Sequence, residues 1–186
     1  ATKVYSGVSN LVGNLPLEQA MQAEFDKLGP VPFEKEDEAF AEEIRKTLTT
    51  EDIAASFQRA GRQTPPELPL CDFVAPLDRP SHGGEGSTDV GDVSWVTPTV
   101  QARVATCAVG TPFHTWQTVA QGKAPAAHKG MIHAAKVMAA TATHLINSPE
   151  TLKAARDVHD KRQQTTPYVC PIPANVKPPV IDEPLS

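Results

Sequence analysis

The feature that most constrains the fold is an apolar run at residues 100–109 with a polar, glycine-containing loop on either side. Val100, Ala102 and Val104 share one face of this run, and the opposite face is also largely apolar from Ala105 onward. A run that is apolar on both faces is typical of a strand that other elements cover on both sides. We therefore predict an α/β fold in which helices pack on a mixed sheet, with the chemistry carried by loops at the strand ends.

Three segments in the first third of the chain have helical patterns. Asn14 as a cap and Gly29 as a stop predict a helix over residues 15–28. An acid-rich amphipathic helix is expected within residues 34–52, and a shorter helical segment follows over residues 51–60.

The strongest helical pattern lies in the second half of the chain, at residues 126–146. Its apolar stripe is expected to pack closely on the sheet, and it consists of Met131, Ala135, Met138, Ala142 and Leu145. Ser148 and Pro149 open a last helix that runs to about Lys161. Residues 4–12 alternate like a short strand, whereas the five prolines between residues 61 and 86 predict a long irregular loop.

Composition excludes several classes of protein. The 186 residues are enough for one domain with a real core, and 40% are hydrophobic and 21% charged, which is ordinary for a soluble globular protein. A net charge of −5 without a basic cluster argues against nucleic-acid binding. The longest apolar-rich run contains His133 and Lys136 and does not read as a membrane span. Three cysteines without CxxC spacing favour reduced thiols and a cytoplasmic protein.

His114 is the best candidate for chemistry. It lies in a turn directly after the apolar run, where Gly110 lets the backbone bend and Pro112 stiffens the approach. A neutral imidazole in such a place is suited to binding metal or to acting as a general base. The alternative is a hydrogen-bonded histidine that only lines the turn.

Two aspartates form a second candidate group. Asp89 and Asp92 stand three residues apart in a glycine-flanked loop just before the apolar run. Carboxylates there would bind metal, orient an imidazole, or simply cap the following segment. Capping is the default interpretation of the local sequence, and a role of both aspartates in a catalytic site is the functional alternative.

Weaker candidates surround these groups. Ser87 is a possible substrate contact, although no GxSxG nucleophile elbow is present. His128, next to Lys129 at the start of the predicted long helix, could hold a substrate carboxylate. His82 could reach a site but reads more simply as a surface residue. A catalytic zinc needs about three protein ligands, and this chain offers one convincing ligand, His114.

Three runs of sequence resemble the M20 metallopeptidase family and its amidohydrolase branch. They are residues 87–94 (Ser-Thr-Asp-Val-Gly-Asp-Val-Ser), residues 110–116 (Gly-Thr-Pro-Phe-His-Thr-Trp) and residues 8–12 (Val-Ser-Asn-Leu-Val). The resemblance covers most of residues 1–160 and corresponds to the C-terminal part of that family. The family's turn of this kind supplies a ligand to a two-metal centre, which maps onto His114. Thr88 stands where related members carry glutamate, so an acidic role is not carried over to position 88.

The resemblance implies a fold and a division of the chain. The fold would be the C-terminal half of a zinc-peptidase-like catalytic domain. Residues 1–12 would end a lid or dimerisation domain and form the junction, residues 13–165 would be the C-terminal part of the catalytic α/β domain, and residues 166–186 a proline-rich tail.

The resemblance also implies a function. The parent would be a metal-dependent amidohydrolase that cleaves the amide between an aminobenzoyl or acyl group and an amino acid, with zinc or manganese as cofactor and two ions in a complete site. Asp89 and Asp92 would shape this site, while Ser87 and His128 would contact substrate. The general base and remaining ligands would lie in the N-terminal half of the same protein, and a homodimer is expected.

Two other functions stay open at this point. One is a non-catalytic binding or assembly module, in which His114 and the aspartates are structural and an exposed surface binds a partner chain. The other, weaker one is a small metal-binding protein that uses His82, Asp89 and His114 together.

Overall fold

A computed structural model describes residues 4, 6–60, 68–77 and 88–177 of the chain. These residues contain seven helices and no strand, and the helices are α1 Leu15–Leu28, α2 Lys35–Arg45, α3 Thr50–Arg59, α4 Val90–Val96, α5 Trp116–Gln121, α6 Pro125–Ile146 and α7 Pro149–Thr165. The predicted helices at 15–28 and 126–146 are confirmed, and the predicted last helix extends to Thr165. The acidic segment is not continuous, because α2 ends at Arg45 and α3 starts a new helix. Helices α4 and α5 were not predicted.

The predicted α/β fold, with helices packed on a mixed sheet, is wrong. Residues 100–109 and 4–12, the two predicted strands, form neither helix nor strand where the structure describes them. A sheet requires a second strand with which to exchange backbone hydrogen bonds, and the described part of the chain supplies none. Both runs lie against helices instead. A side chain on Gly130 of α6 would put its Cβ 2.1 Å from the carbonyl oxygen of Ala105.

Helices α1, α6 and α7 pack on one another, and we call these three helices the scaffold. Asn14, which is 1% exposed, joins two of them: its Oδ1 accepts from the Leu17 N–H at 3.4 Å and its Nδ2 donates to the Ala155 carbonyl at 2.9 Å. One buried amide therefore caps α1 and satisfies a carbonyl of α7. Leu17, Ala155 and Val137 are buried in this region.

Two ion-pair clusters fix α6 against its neighbours. Glu24 of α1 accepts from Lys27 at 2.6 Å and lies 2.8 Å from Nδ1 of His144 on α6. Lys27, followed by His144, holds the pKa of the Glu24 carboxyl below its usual value. At the other end of α6, Lys129 donates to Asp37 of α2, which is 4% exposed.

Burial alone would raise the pKa of the Asp37 carboxyl, but the hydrogen bonds from Lys129 and from the Glu34 backbone outweigh burial and lower it. Lys129 also pairs with Glu34 at 2.8 Å. An apolar cluster also links α2 to the run at residues 100–109 and to the start of α6. Its members are Ala41, Ile44, Leu70, Ala108 and Ala126.

The apolar stripe predicted for α6 is not the face that the structure buries. Met131 and Met138 are 58% and 66% exposed. The buried face consists of other, mostly small residues: Ala126, Gly130, His133, Val137 and Thr141. Small side chains allow the backbone at residues 105–106 to approach α6 closely, so they take the inner face and leave the methionines outside. Within the described ranges, no helix combines the length and hydropathy needed to cross a bilayer.

Candidate functional site

The turn that carries the predicted metal ligand begins with a backbone held by a buried glutamine. Gln121 of α5, which is 3% exposed, accepts from the Ala108 N–H at 2.7 Å through its Oε1. Its Nε2 donates to Oγ1 of Thr111 at 3.0 Å, and the Thr111 hydroxyl donates to the Ala108 carbonyl at 2.7 Å. These bonds close a small buried network, so the start of the turn is fixed relative to α5.

Helix α3 supports the same turn from the other side. The Gly110 N–H donates to Oγ of Ser56 at 3.2 Å. Gly110 has φ +97°, and a Cβ there would lie 2.7 Å from Cγ1 of Ile53. Only glycine fits both the left-handed backbone and this close approach. The predicted bend at Gly110 is therefore present, with a helix packed against it.

His114 is exposed at the tip of the turn. It has φ 63° and is the one non-glycine residue with positive φ in the described part of the chain. No described group forms a hydrogen bond or ion pair with its imidazole. The backbone behind it is tied to the Pro112 carbonyl, which accepts from the hydroxyls of Thr115 at 2.7 Å and Thr118 at 2.8 Å.

Such a left-handed backbone costs energy, and residues held in it are concentrated at functional sites. The cost is met here because the turn on both sides of His114 is already fixed by hydrogen bonds. Among the described residues the imidazole is unengaged, and hydrogen bonds hold the backbone that carries it, as a metal ligand requires. Metal binding by His114 stays a prediction.

Asp89 and Asp92 have different environments. Asp89 is exposed at the position before α4, and its side chain makes no capping hydrogen bond. Asp92 uses both carboxylate oxygens: Oδ2 accepts from the Ser9 N–H at 3.1 Å, and Oδ1 accepts from the Tyr168 hydroxyl at 2.7 Å. The Tyr168 bond, then the Ser9 bond, lower the pKa of Asp92, and Asp92 in turn raises the pKa of Tyr168.

His128 lies on the first turn of α6 and is exposed. It borders a cleft of about 270 Å³ whose other lining residues are Pro32, Lys129, Ile132, His133 and Lys136. His133 is 5% exposed, and its Nε2 has no hydrogen-bond partner among the described residues. The structure places His128 at a cleft that basic side chains line. Its substrate role stays a prediction. Ser87 and His82 lie outside the described residues.

The structure does not assemble the predicted residues into one centre. No hydrogen bond or ion pair joins His114, Asp89, Asp92 or His128 to another of them in the part of the chain that the structure describes. In the same ranges, no group of three or more His, Cys, Asp or Glu side chains is placed to share a metal ion. His114 fits a metal as a single ligand, and a complete site needs about three.

Three residues that matter locally were not found from sequence. Gln121 fixes the His114 turn, and Tyr168 and Trp95 form a stacked pair with ring centroids 6.4 Å apart beside Asp92. Gln121 carries no sequence signal, because its role depends on contacts ten or more residues away. The lone tyrosine at the start of the proline-rich tail was a signal that the tail has an anchor.

No family model matches the chain, and no solved structure matches it. The motifs at residues 87–94 and 110–116 resemble the M20 branch that includes p-aminobenzoyl-glutamate hydrolase. The comparison with curated proteins confirms this resemblance: the chain is 41% identical over 180 residues to a subunit of p-aminobenzoyl-glutamate hydrolase from Escherichia coli (strain K12). That match covers 91% of this chain, which spans 37% of the length of its relative.

Proposed function

We propose that this chain is the C-terminal portion of a metal-dependent amidohydrolase that hydrolyses an amide bond to an amino acid. The substrate would be an aminobenzoyl-glutamate-like compound or an N-acyl amino acid. The observation that carries the proposal is His114, whose imidazole has no hydrogen-bond or ion-pair partner among the described residues and lies at the tip of a turn that hydrogen bonds fix. The 41% identity to part of a p-aminobenzoyl-glutamate hydrolase supports the reaction class.

The roles of the residues follow from their environments. His114 would ligate one of two zinc or manganese ions, which when bound activate water and polarise the amide carbonyl. Asp89 is exposed and lacks a capping bond, so its carboxylate is available to orient a ligand or a water. His128 would contact a substrate carboxylate from the cleft beside Lys136. Ser87 is retained as a substrate contact.

The rest of the site would come from the N-terminal half of the same protein, which would supply the other ligands and the general base. The proposed division into 1–12, 13–165 and 166–186 is unchanged. The exposed apolar side chains near His114 in the chain support such a missing neighbour: Phe113 is 66%, Trp116 60% and Val119 79% exposed. Contiguous exposed apolar patches mark interaction sites, and the proposal places the N-terminal half over these three side chains.

The test is His114→Ala in the enzyme that contains the N-terminal half. We expect loss of bound metal, measured by elemental analysis after dialysis, and loss of amide hydrolysis. His128→Ala is the matched control: it removes an exposed imidazole from the same chain and is expected to keep the metal while it raises KM. Unchanged metal content and turnover in His114→Ala would contradict the proposal. The isolated 186-residue chain is expected to retain no metal after dialysis.

A second function, a non-catalytic assembly module, is favoured by one observation. Met131 and Met138 on α6 are apolar, and they are 58% and 66% exposed. The relative is named as a subunit, and this chain would likewise pair with a partner chain or a second copy of itself. If the complete protein assembled normally but neither bound metal nor hydrolysed amides, this function would replace the first. A cytoplasmic location is proposed with either function.

A further inference from the structure

Asp92, three residues after Asp89, accepts hydrogen bonds from two distant segments of the chain. Both Asp92 oxygens are occupied, one by the Ser9 N–H and one by the Tyr168 hydroxyl. Ser9 precedes α1 in the chain, and Tyr168 follows α7. One carboxylate therefore bridges two segments separated by most of the sequence.

The incoming segment at residues 9–12 is bound to α4 by further contacts. The Val12 N–H donates to Oγ of Ser94 at 3.0 Å, and the Trp95 indole N–H donates to the Asn10 carbonyl at 2.9 Å. A Cβ on Gly91 would lie 2.0 Å from the Ser9 carbonyl oxygen, so the two backbones are in direct contact. This segment is a fixed part of the α4 environment.

The outgoing segment is bound to the same helix from the opposite end of the chain. The Tyr168 N–H donates to Oε1 of Gln163 at 3.0 Å, and Nε2 of Gln163 donates to the Trp95 carbonyl. His159 of α7, which is 5% exposed, lies 3.2 Å from the same carbonyl through its Nε2. The Tyr168 ring stacks on Trp95, so the residues after α7 begin as an anchored strap.

We infer that Tyr168 and Asp92 are a positioning pair that fixes the Asp89 turn and the start of α4 between residues 9–12 and the strap after α7. Asp92 thereby supports the site through structure, while the Asp89 side chain makes no capping hydrogen bond to α4. The inference rests on the proposed function in one respect, since that function makes the Asp89 turn part of a catalytic site. The contacts themselves do not depend on it.

The bond between the two residues has a defined chemical condition. Tyr168 must be protonated to donate it, and the bond is strongest when the Asp92 carboxylate is ionised. Each partner shifts the pKa of the other in the direction that extends this range, Asp92 downward and Tyr168 upward, with a smaller upward contribution from Cys170. Removing the Tyr168 hydroxyl alone should therefore raise the pKa of Asp92, which a titration can measure.

The experiment compares Tyr168→Phe with Val169→Ala in the 186-residue chain. Tyr168→Phe keeps the ring on Trp95 and deletes one hydroxyl, and Val169 is 79% exposed and serves as the matched control. Carboxyl NMR titration is expected to show the pKa of Asp92 raised in Tyr168→Phe only. Amide hydrogen exchange at Ser9 and Val93 is expected to quicken about 5-fold or more, because a charge-assisted hydrogen bond is lost.

An unchanged Asp92 titration and unchanged Ser9 exchange in Tyr168→Phe would overturn the positioning pair. In the enzyme completed by its N-terminal half, the same substitution is expected to lower kcat at constant metal content, and an unchanged kcat would overturn the positioning role. If that enzyme showed no hydrolysis even with its natural residues, the proposed function would fail, and the NMR result would still decide whether the pair holds the turn.

Discussion

The helical scaffold and the turn that carries His114 differ in how their side chains are satisfied. In the scaffold, two buried polar side chains join neighbouring helices: Asn14 reaches Ala155, and Glu24 reaches Lys27 and His144. In the turn, the backbone is also held by hydrogen bonds, but no described group bonds the His114 imidazole at its tip. The two regions therefore differ in whether their polar side chains contact other described elements of this chain.

The difference shows where the described residues leave large apolar side chains exposed. Phe113, Trp116 and Val119 are large apolar residues within six positions of a histidine, and all are more than half exposed. Folding of the described residues gains little from them, because exposed side chains contribute little burial energy. Their composition is explained by the proposed function, which places another part of the enzyme over His114.

The largest effect is expected where the scaffold meets the chain that leads into the turn. In Gly130→Ala the new Cβ would lie 2.1 Å from the Ala105 carbonyl oxygen and 2.8 Å from Cγ2 of Thr106. One of the two backbones must shift, and overpacking of this kind costs about 1–3 kcal/mol. Urea unfolding monitored by circular dichroism should show the loss.

Gly122→Ala is the matched control for that substitution. Gly122 ends α5 with φ −61°, and a Cβ there would meet its nearest neighbour, the Val119 carbonyl oxygen, at an ordinary 3.5 Å. Its unfolding free energy is expected to stay within about 0.5 kcal/mol of the parent or to rise slightly. Equal losses in the two variants would mean that the contact between α6 and Ala105 does not hold the chain.

A smaller effect is expected from the ion pairs between α1 and α6, and it should depend on pH. Folding lowers the pKa of Glu24 from its ordinary value of 4.5, chiefly through Lys27 and then through His144. A carboxyl with a lowered pKa stabilises the folded state above its unfolded pKa, and this contribution disappears as the pH falls through the folded pKa. The parent should therefore be more stable than Glu24→Gln at pH 7, and the two should converge as the pH falls below 4.5 and through the lowered folded pKa of Glu24.

Chemical unfolding at a series of pH values from 7 to 3 measures this convergence. Glu43→Gln is the control, because Glu43 pairs with Lys46 on the surface and both side chains are about two-thirds exposed. Exposed pairs contribute little, so this variant should match the parent at pH 7. A Glu24→Gln difference that stayed constant with pH would show that Glu24 acts through packing and not through its charge.

The sequence predicted local features of the fold better than its long-range contacts. Asn14 and Gly29 marked the ends of α1 correctly, because a cap and a stop act within one helical turn. The α/β class was wrong because residues 100–109 have the composition of a covered strand, and pairing depends on residues elsewhere. The buried face of α6 was missed for a related reason: both of its faces are apolar, and Gly130 decides which one the chain at Ala105 can approach.

The candidate site shows the same limit. The turn at Gly110 and the prominence of His114 could be read from the residue types alone. Asp89 and Asp92 looked equivalent in sequence, and only the structure shows that Asp89 makes no capping hydrogen bond whereas Asp92 is bonded to Ser9 and Tyr168. Partners this far apart in the chain leave no local pattern.

The smallest effect on stability is expected at the exposed tip itself, and it is the sharpest test of the comparison. Trp116 is 60% exposed, so Trp116→Ser should change the unfolding free energy of the chain by no more than about 0.5 kcal/mol. The other tryptophan is the matched control: Trp95 donates to the Asn10 carbonyl and stacks on Tyr168, so Trp95→Ser should destabilise the chain clearly. Tryptophan fluorescence during urea unfolding follows each variant through the remaining indole. In the enzyme completed by its N-terminal half, we expect Trp116→Ser to impair assembly more than Trp95→Ser does, because Trp116→Ser weakens the contact over His114. If the Trp116→Ser chain were as unstable as the Trp95→Ser chain, the tip would belong to the scaffold.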